Sequence, residues 1–438
     1  MQVSVESTGS LDRKMTVQFP PDRIDSEVEK RLRALTKRVR IDGFRPGKVP
    51  LKIVQQRYGS GVYQEVLSEV LQQSYREAID EQGLVPAGGP SIEPKVIEPG
   101  QPIEYVASFQ VFPEVVLADL SDVDIERPVA TIEAEDVDRV IDSLRKQQRT
   151  WQPVDRPAAE GDRVTVNFTG TLNGEPFEGG KAEGFSVEIG AGRLLPGFES
   201  QLVGVETGTE KTIDVPFPDD YPAEHLKGQT AQFALSVLKV EEPRLPDVDA
   251  DFARAFGIQD GDVDKLRAEV KANMARELGQ NIKGRVKKQV MDALVQKHEF
   301  DLPKALVRGE IERLRTEAET RFGGAEKSQP LPDALFEEEA QRRVRLGLIV
   351  RAIVDAEKIE VDPQRVESEL DSLAGTYEDG AEVKRYYRSH PQAMASLESL
   401  VIEDQVVDWV LTKARVSDHP GSFDSLMNPA KPNMENPE

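Results

Sequence analysis

Apolar residues recur with two different periodicities over the first quarter of the chain. Residues 3–5 and 15–19 place an apolar side chain at every second position, which is typical of half-buried strands. Residues 28–39 instead repeat apolar side chains at spacings of four, three and four, which predicts an amphipathic helix. A second helix is predicted over 53–71 and a further strand over 103–111. Together these elements predict a mixed α+β domain.

The middle of the chain has the residue composition and the turn spacing of a small β domain. Runs such as 163–168 and 233–238 are rich in β-branched and aromatic residues, and turns rich in Gly, Pro, Asn and Asp separate them. We expect a compact, mostly antiparallel sheet with one short helix. A charged, helical segment over 134–148 precedes it and belongs to a connector.

From Asp251 to Val416 the pattern is helical, and one long apolar stripe is informative. Its residues recur at spacings of four: Leu266, Val270, Met274, Leu278, Ile282, Val286, Val290 and Leu294. A straight helix repeats every 3.6 residues, so this stripe drifts by roughly 40° per step around the helix. We therefore expect the helix to contact different partners along its length, within an extended helical body. A coiled coil is less favoured, because the spacing is not a heptad.

These patterns predict an α+β multidomain protein with an α+β N-terminal domain, a small antiparallel β-sheet domain with a short helix, and an extended all-α C-terminal domain. The expected boundaries are 1–112 for the N-terminal domain, 113–156 for a helical connector, 157–243 for the β domain, 244–416 for the helical domain and 417–438 for a tail. The tail contains four prolines and little apolar content, so we expect it to be disordered. Phe423, Leu426 and Met427 form a candidate short docking element within it.

Composition narrows the chemistry that the chain can perform. At 438 residues it is too long for one hydrophobic core. It has no cysteine, which excludes disulfides, thiol catalysis and zinc–thiolate sites and indicates a reducing cytosol. Its four histidines lie far apart in sequence without metal-ligand spacing, so we predict no metal and no other cofactor. No window approaches the run of roughly 18 apolar residues that a membrane span needs, and the N-terminus lacks the apolar core of a signal peptide.

A turn at residues 43–50 carries the strongest local signal. Two glycines and two prolines among eight residues favour a turn, which displays Phe44, Arg45 and Lys48. Residues 30–57 hold ten Lys or Arg against one acid, although the whole chain carries a net charge of −23. A positive patch on a negative body indicates a docking point for an anionic partner. The alternative is a solvated turn between two helices.

Four motifs within 161–243 resemble the FK506-binding-protein family of prolyl isomerases. They are Gly161-Asp-Arg-Val-Thr-Val-Asn-Phe-Thr-Gly170, Phe177-Glu-Gly-Gly180, Leu194-Leu-Pro-Gly-Phe-Glu199 and Phe217-Pro-Asp-Asp-Tyr221. Together with the Gly-Phe-Arg-x-Gly-Lys-x-Pro turn and the helical C-terminal third, they make the whole chain resemble the bacterial trigger factor family. The resemblance covers essentially all 438 residues in the same order.

Isomerising an X–Pro bond requires no nucleophile and no metal, because the barrier comes from amide resonance. It is sufficient that an apolar pocket binds the proline ring and keeps water from the twisted amide. The resemblance implies that this pocket is formed by Phe168, Phe177, Glu178, Phe185, Leu194, Leu195, Phe198, Tyr221 and Phe233. It implies that Phe198 is the floor and that Tyr221 offers its hydroxyl to a substrate carbonyl. Glu178 stands where simpler members of the family have aspartate. The alternative for any one phenylalanine is a place in the domain core.

The same resemblance implies partners for the turn and for the helical domain. In the family the turn docks at the ribosomal exit tunnel, so Phe44, Arg45, Gly47 and Lys48 would contact a ribosomal protein, with added attraction from neighbouring ribosomal RNA. The helical domain would hold nascent and unfolded polypeptides. We therefore predict a ribosome-associated chaperone with prolyl isomerase activity in the cytoplasm, without a membrane partner and forming a weak homodimer when free.

Two other functions are compatible with the residues. One is a free cytosolic prolyl isomerase whose helical domain recruits clients without ribosome docking. The other is a nucleic-acid-binding protein that uses residues 30–57, which the shortness of the cluster, its few aromatics and the negative net charge disfavour. The client surface has an alternative as well, because each apolar stripe also suits ordinary packing between helices.

Overall fold

The computed structural model describes residues 1–42, 44, 48–98, 100–195, 197–321, 331–377 and 379–428, except the side chain of His225. The chain divides into two compact units. The first contains Met1–Arg127 and Gly284–Asp418, and the second contains Pro128–Lys283 and His419–Glu438. Within the described part of the chain, no helix is long and apolar enough to cross a membrane.

A four-stranded antiparallel sheet organises the N-terminal part of the first unit. Its strands are β1 (Gln2–Ser7), β2 (Asp12–Phe19), β3 (Ser91–Val96) and β4 (Ile103–Gln110), in the order β1-β2-β4-β3. The register pairs Val17 with Tyr105 and Met15 with Ala107 across β2 and β4. The predicted alternation therefore puts these fully buried side chains on one face of the sheet.

Two helices contribute to the same hydrophobic core as that face. They are α1 (Asp22–Thr36) and α2 (Leu51–Gln82), which pack against each other and whose apolar side chains join the buried cluster of the sheet. The hydroxyl of Tyr105 lies 3.1 Å from Ser74 Oγ of α2, so this buried polar pair is satisfied internally. Helix α2 ends at Gly83, whose φ of 62° is a left-handed conformation that glycine adopts without strain.

Strand β5 (Asp124–Val129) and helix α3 (Ala134–Gln147) precede the five-stranded antiparallel sheet of the second unit. This sheet consists of β6 (Thr150–Pro153), β7 (Arg163–Leu172), β8 (Glu175–Glu188), β9 (Glu210–Pro216) and β10 (Thr230–Arg244). Strands β6, β10, β7 and β8 follow one another in the sheet, and β9 also pairs with β10.

The single short helix expected in the β domain is replaced by two one-turn 3₁₀ helices, Ser200–Leu202 and Glu224–Leu226. The first cannot extend, because Gly197 and Gly204 bracket it with φ values of 91° and 83°, outside the helical region. The structure therefore has two short 3₁₀ helices where one short helix was expected.

Helices form the rest of the described chain up to Lys413. They are α4 (Ala250–Ala255), α5 (Val263–Lys297), α6 (Lys304–Arg321), α7 (Glu337–Glu357), α8 (Pro363–Ala374), α9 (Gly380–Ser389) and α10 (Pro391–Lys413). Helix α6 packs with α7, and α8, α9 and α10 pack together. The helical C-terminal third predicted from the periodicity is confirmed.

The apolar stripe of α5 changes partners along the helix, as its spacing of four predicts. At the N-terminal end, Leu266, Val270 and Met274 share a buried cluster with residues of α3 and α4. Further along, Lys287 Nζ lies 2.9 Å from Glu403 Oε2 of α10, while the neighbouring stripe residues remain buried. Helix α5 thus has neighbours in α3 and α4 at its N-terminal end and in α10 further along.

The C-terminal segment differs from the disordered tail that we expected. Strand β11 (Arg415–Pro420) pairs with β5, and the backbone N–H of Arg415 donates to the carbonyl oxygen of Val123 at 2.8 Å. Helix α11 (Phe423–Met427) follows; Phe423 packs on the α3–α4 cluster. Pro420 does not interrupt the pairing, because it is the last residue of its strand. Residues 429–438 lie outside the described residues.

Candidate functional site

A cavity of about 270 Å³ lies against the five-stranded sheet of the second unit, and we call it the aromatic pocket. Its lining consists of Phe168, Phe177, Glu178, Gly179, Phe185, Leu194, Leu195, Phe198, Phe217, Tyr221, Ala223, Leu226 and Phe233. Every position that the family resemblance implied for the isomerase site is among them. Its volume lies just below the roughly 300–1,000 Å³ of pockets for drug-sized ligands, so it suits a group the size of one side chain.

The aromatic rings of the pocket pack edge to face around Phe168 on β7. Its ring centroid lies 5.6 Å from that of Phe185, 5.9 Å from that of Phe198 and 5.7 Å from that of Phe233, with interplanar angles of 72–88°. Such T-shaped pairs are favoured by the quadrupoles of the rings. Phe198 and Phe233 are each 5% exposed, whereas Phe185 is 38% exposed. The first two therefore form a buried floor, and Phe185 forms part of the rim.

Gly170 makes room for this ring packing. The register of β7 and β10 places Gly170 opposite Phe233. A Cβ atom at residue 170 would lie 2.6 Å from a ring carbon of Phe233 and 3.0 Å from the ring of Phe177. Carbon atoms pack best at about 3.5–4.0 Å, so any side chain here would push the rings apart. The need for glycine at this position comes from packing and not from its backbone conformation.

A buried carboxylate holds the loop that carries Leu194 and Leu195. Glu199 is 8% exposed, and its carboxylate accepts hydrogen bonds from the backbone N–H groups of Gly192 at 2.9 Å, Arg193 at 2.9 Å and Leu194 at 3.1 Å. Burial acts to raise the pKa of Glu199, but the backbone hydrogen bonds outweigh it and keep this pKa below its usual value. The ionised carboxylate therefore fixes one wall of the pocket.

Asp162 anchors the chain where it enters β7. It is 2% exposed, and its carboxylate binds Arg156 Nη1 at 2.6 Å and the backbone N–H of Ala159 at 2.8 Å. Burial acts to raise the pKa of Asp162, while the Arg156 guanidinium and the Ala159 N–H lower it further than burial raises it. The charged carboxylate of Asp162 therefore stabilises the entry to β7 through its contacts with Arg156 and Ala159.

Two polar side chains line the pocket among its apolar walls. The ring of Tyr221 packs edge-on against Phe217 with centroids 4.8 Å apart, and its hydroxyl makes no hydrogen bond within the described part of the chain. Glu178 is an exposed part of the lining. The arrangement can enclose a small apolar ring and offer one hydroxyl donor to a carbonyl. Among the described residues, no group of His, Asp and Glu is arranged to hold a metal ion.

The Phe44 turn, residues 43–50, connects α1 and α2 in the first unit. Ile41 before it and Val49 within it are 8% and 5% exposed, so buried side chains anchor the loop close to both ends. Phe44 is 39% exposed, and Lys48 is exposed as well. The other two docking residues implied by the resemblance, Arg45 and Gly47, lie outside the described residues.

The basic residues of α1 differ from those near the turn in their partners. On α1, Arg31 pairs with Glu65 at 2.8 Å and Arg33 pairs with Glu29 at 2.5 Å. Within the described residues, exposed cations close to the turn form no ion pair: Lys37, Arg38, Arg40, Lys48, Lys52 and Arg57. Their positive charge is therefore concentrated around Phe44 and is not neutralised by the acidic body.

Sequence reasoning missed several residues that shape the pocket. Phe217 and Leu226 complete its lining, and Gly170 and Glu199 set its geometry from behind. Phe217, Gly170 and Glu199 all stand at the ends of the recognised motifs, so their positions were visible in the sequence although their contacts were not. Nothing in the local pattern around Leu226 marks it.

Three family models match successive parts of the chain. Residues 1–144 match the bacterial trigger factor protein model, and residues 262–412 match the model of the bacterial trigger factor C-terminus. Residues 154–238 match the FKBP-type peptidyl-prolyl cis-trans isomerase model.

Similar proteins span nearly the whole chain. The trigger factor of Thioalkalivibrio sulfidiphilus is 57% identical over 431 residues, which are 98% of this chain and 99% of that protein. The trigger factors of Cellvibrio japonicus and Aeromonas hydrophila are 47% and 46% identical, with the same coverage. A solved structure reported as "Promiscuous Substrate Recognition in Folding and Assembly Activities of the Trigger Factor Chaperone" shares the fold, with a TM-score of 0.51 and 19% identity, covering 94% of this chain and 100% of that chain.

Proposed function

This chain belongs to the bacterial trigger factor family, and we propose that it docks on the ribosome through the Phe44 turn while the aromatic pocket acts on polypeptides that emerge there. As a trigger factor it is a chaperone with an FKBP-type prolyl cis-trans isomerase domain. We assign docking to residues 1–112, connection to 113–156, isomerisation to 157–243 and client holding to 244–416. The observation that carries the docking proposal is an exposed Phe44 among unpaired cations.

The isomerase reaction is a rotation about one amide bond. Resonance gives this rotation a barrier of about 18–20 kcal/mol, and an uncatalysed X–Pro bond takes about 10–100 s to isomerise at 25 °C. In the transition state the twisted amide has lost its resonance. A pocket that binds the twisted form more tightly than the planar form lowers the barrier without any covalent step.

The side chains of the aromatic pocket divide this task between them. Phe198 and Phe233 support the proline ring from below, and the remaining apolar positions of the predicted site enclose it: Phe168, Phe177, Phe185, Leu194 and Leu195. Their combined effect is to remove water from the amide, where hydration favours the planar, polar form. The Tyr221 hydroxyl donates a hydrogen bond to a substrate carbonyl, and Glu178 is the second polar group that orients the peptide.

Docking uses the exposed ring and the unpaired charges of the turn together. Phe44 buries its ring against a ribosomal protein near the exit tunnel, and Arg45 is suited to bidentate contact with a carboxylate or phosphate. Lys48 and the neighbouring cations attract RNA phosphates, so binding weakens as salt rises. The ribosome places this activity in the cytoplasm. A weak homodimer is the expected state of the free protein.

The helical domain supplies the surface for nascent and unfolded chains. Exposed apolar side chains within it include Leu335 at 67%, Tyr377 at 59%, Tyr386 at 53% and Leu400 at 38% exposure. Exposed apolar side chains mark protein interaction sites, and separate small contacts among charged residues favour weak, reversible binding. This is the type of surface that a chaperone with many clients needs.

Co-sedimentation with bacterial ribosomes tests the docking proposal. The triple variant Phe44→Ala, Arg45→Ala, Lys48→Ala removes the ring and two positive charges from the turn. The control Lys30→Ala, Arg33→Ala removes two charges from α1, where both are ion-paired. We expect the natural protein and the control to pellet and the turn variant to stay in solution. If the turn variant pellets as much as the natural protein does, the Phe44 turn is not the docking site.

A further inference from the structure

A second cavity adjoins the aromatic pocket and has no role in the function described so far. Its volume is about 430 Å³, and we call it the arginine cleft. Its charged and aromatic lining consists of Arg149, Trp151, Arg163, Phe185, Glu188, Arg193 and Glu199. Phe185 and Leu194 line both cavities, so the cleft lies directly beside the aromatic pocket.

Two of the three arginines of the cleft are fixed and neutralised. The guanidinium carbons of Arg149 and Arg163 lie 4.9 Å and 4.6 Å from the ring centroid of Trp151, within the range of cation–π interaction. Arg149 pairs with Glu188, and Arg163 Nη2 lies 2.8 Å from Glu241 Oε2. These residues therefore form a rigid, polar wall that carries little net charge.

Arg193 is the remaining cation of the cleft. Its side chain is exposed and forms no ion pair or hydrogen bond within the described part of the chain. Its backbone N–H is bound to Glu199, which also binds the N–H groups of Gly192 and Leu194. The carboxylate of Glu199 thus accepts hydrogen bonds from the backbone and does not pair with the Arg193 guanidinium. The guanidinium donors of Arg193 are left available at a loop that is itself held in place.

We propose that the arginine cleft is a second substrate subsite of the isomerase, which accepts an acidic side chain within two residues of the proline. Arg193 is its recognising cation, because a guanidinium binds a carboxylate through paired, charge-assisted hydrogen bonds. This inference rests on the proposal that the aromatic pocket binds the proline ring. One residue of extended chain spans at most about 3.3–3.6 Å, so only positions next to the proline can use a cavity that shares its walls.

A peptide series tests the subsite with the full-length protein. Each peptide has one X–Pro bond and carries either Glu or Gln at one of the two positions before or the two positions after it. The quantity measured is the ratio of kcat/KM for the Glu peptide to that for the matched Gln peptide. At low salt we expect a ratio of about two to five at one position, which is the size of an exposed ion pair. The ratio should approach one near 1 M salt, where screening acts within about 3 Å.

Variants identify the residue that causes the preference. Arg193→Gln should bring the ratio to one, and Arg193→Glu should bring it below one. The control Lys211→Glu makes the same change in net charge at an exposed lysine of the same sheet, outside the lining of both cavities, and should keep the natural ratio.

Three results would overturn the subsite. The first is a Glu/Gln ratio of one at all four positions, and the second is a ratio that Arg193→Glu leaves unchanged. The third is an equal fall of the ratio in Lys211→Glu, which would show that the preference comes from the electrostatic field of the whole protein. The Gln peptides separate this failure from failure of the proline site itself. If the natural protein accelerates none of them, the aromatic pocket and the subsite are both wrong; if it accelerates them without a charge preference, only the subsite is wrong.

Discussion

The Phe44 turn and the aromatic pocket gather their residues in opposite ways. The turn is a continuous segment in which Phe44 is exposed while Ile41 and Val49 are buried. The pocket draws side chains from Phe168 to Phe233, which meet because antiparallel strands and the loops between them bring distant residues together. The turn therefore depends on exposure, which single substitutions change without disturbing the core. The pocket depends on close packing, so its function and its stability are linked.

The two regions also use charge differently. Near the turn the exposed cations have no carboxylate partner among the described residues, which leaves their charge available to a ligand. In the sheet behind the pocket, the buried carboxylates of Asp162, Glu199 and Glu241 are bound by arginines, a lysine or backbone N–H groups. Charge is therefore available to a partner in one region and maintains the scaffold in the other.

Phe198→Ala should produce the largest effect on the pocket. Removing a buried phenylalanine costs about 3–5 kcal/mol of unfolding free energy. Loss of the floor should also lower kcat/KM for X–Pro peptides by about tenfold or more, which corresponds to 1.4 kcal/mol of transition-state binding or more. Urea unfolding followed through Trp151 in a Trp409→Phe background and a peptide isomerisation assay measure the two quantities.

Phe44→Ala is the matched control, because it removes an exposed phenylalanine from the turn. It should change the free energy of unfolding by no more than about 0.5 kcal/mol and leave the isomerisation rate unchanged. Phe198→Leu, a milder change, separates loss of activity from loss of folding. A folded Phe198→Leu variant with the natural isomerisation rate would show that Phe198 is not the floor of the site.

Gly170→Ala should also destabilise the isomerase domain, although only one methyl group is added. The new Cβ would meet the Phe233 ring at 2.6 Å, and overpacking of this kind costs about 1–3 kcal/mol. Gly61→Ala in α2 has open space around the new methyl group and should stabilise its helix by about 0.5–1 kcal/mol. Urea unfolding followed by circular dichroism compares the two variants. A shift of the same sign in both would contradict the packing role of Gly170.

Asp162→Asn should destabilise the same domain by about 1–3 kcal/mol at pH 7, because Arg156 loses the buried one of its two carboxylate partners and keeps only Glu242. The folded-state pKa of Asp162 is lowered, so its contribution is complete above the unfolded pKa of about 3.9 and is lost as pH falls through the folded pKa. The difference between natural protein and variant should hold from pH 7 to about pH 5 and shrink below pH 4. Thermal unfolding monitored at Trp151 measures it. A difference that persists unchanged at pH 3 would show that the carboxylate charge is not the cause.

Tyr221→Phe should produce the smallest of these effects. The ring and its contact with Phe217 remain, and only the hydroxyl donor is lost. Because one hydrogen bond contributes about 0.5–1.5 kcal/mol, kcat/KM should fall by about two- to tenfold with no change in unfolding free energy. A reduced kcat with unchanged KM would indicate a bond made mainly in the twisted state. An unchanged kcat/KM would remove the hydroxyl from the mechanism.

Much of the fold follows from the sequence because its periodicities are local. Alternation over 15–19 and 103–111 predicts β2 and β4, and the spacing of four in the long stripe predicts the changing partners of α5. The pairing of β5 with β11 could not be predicted in this way. It joins residues about three hundred positions apart, and Arg415–Pro420 is exposed along its whole length, so no alternation marks it as a strand.

The same distinction applies to the two sites. The turn is detectable from composition alone, since its glycines, prolines and cations are consecutive. The pocket was found only through resemblance to known motifs, because any one phenylalanine of a β domain also suits its core. The contacts of Glu199 with three backbone N–H groups could not be predicted at all, since a backbone donor has no sequence signature.

The most direct test is to measure ribosome co-sedimentation and X–Pro isomerisation on the same three proteins. These are the natural chain, the Phe44→Ala, Arg45→Ala, Lys48→Ala variant and the Phe198→Leu variant. We predict that the turn variant stays in solution and retains the natural kcat/KM, whereas the pocket variant pellets and isomerises slowly. A turn variant that pellets normally, or a single variant that loses both activities while folded, would contradict two independent sites.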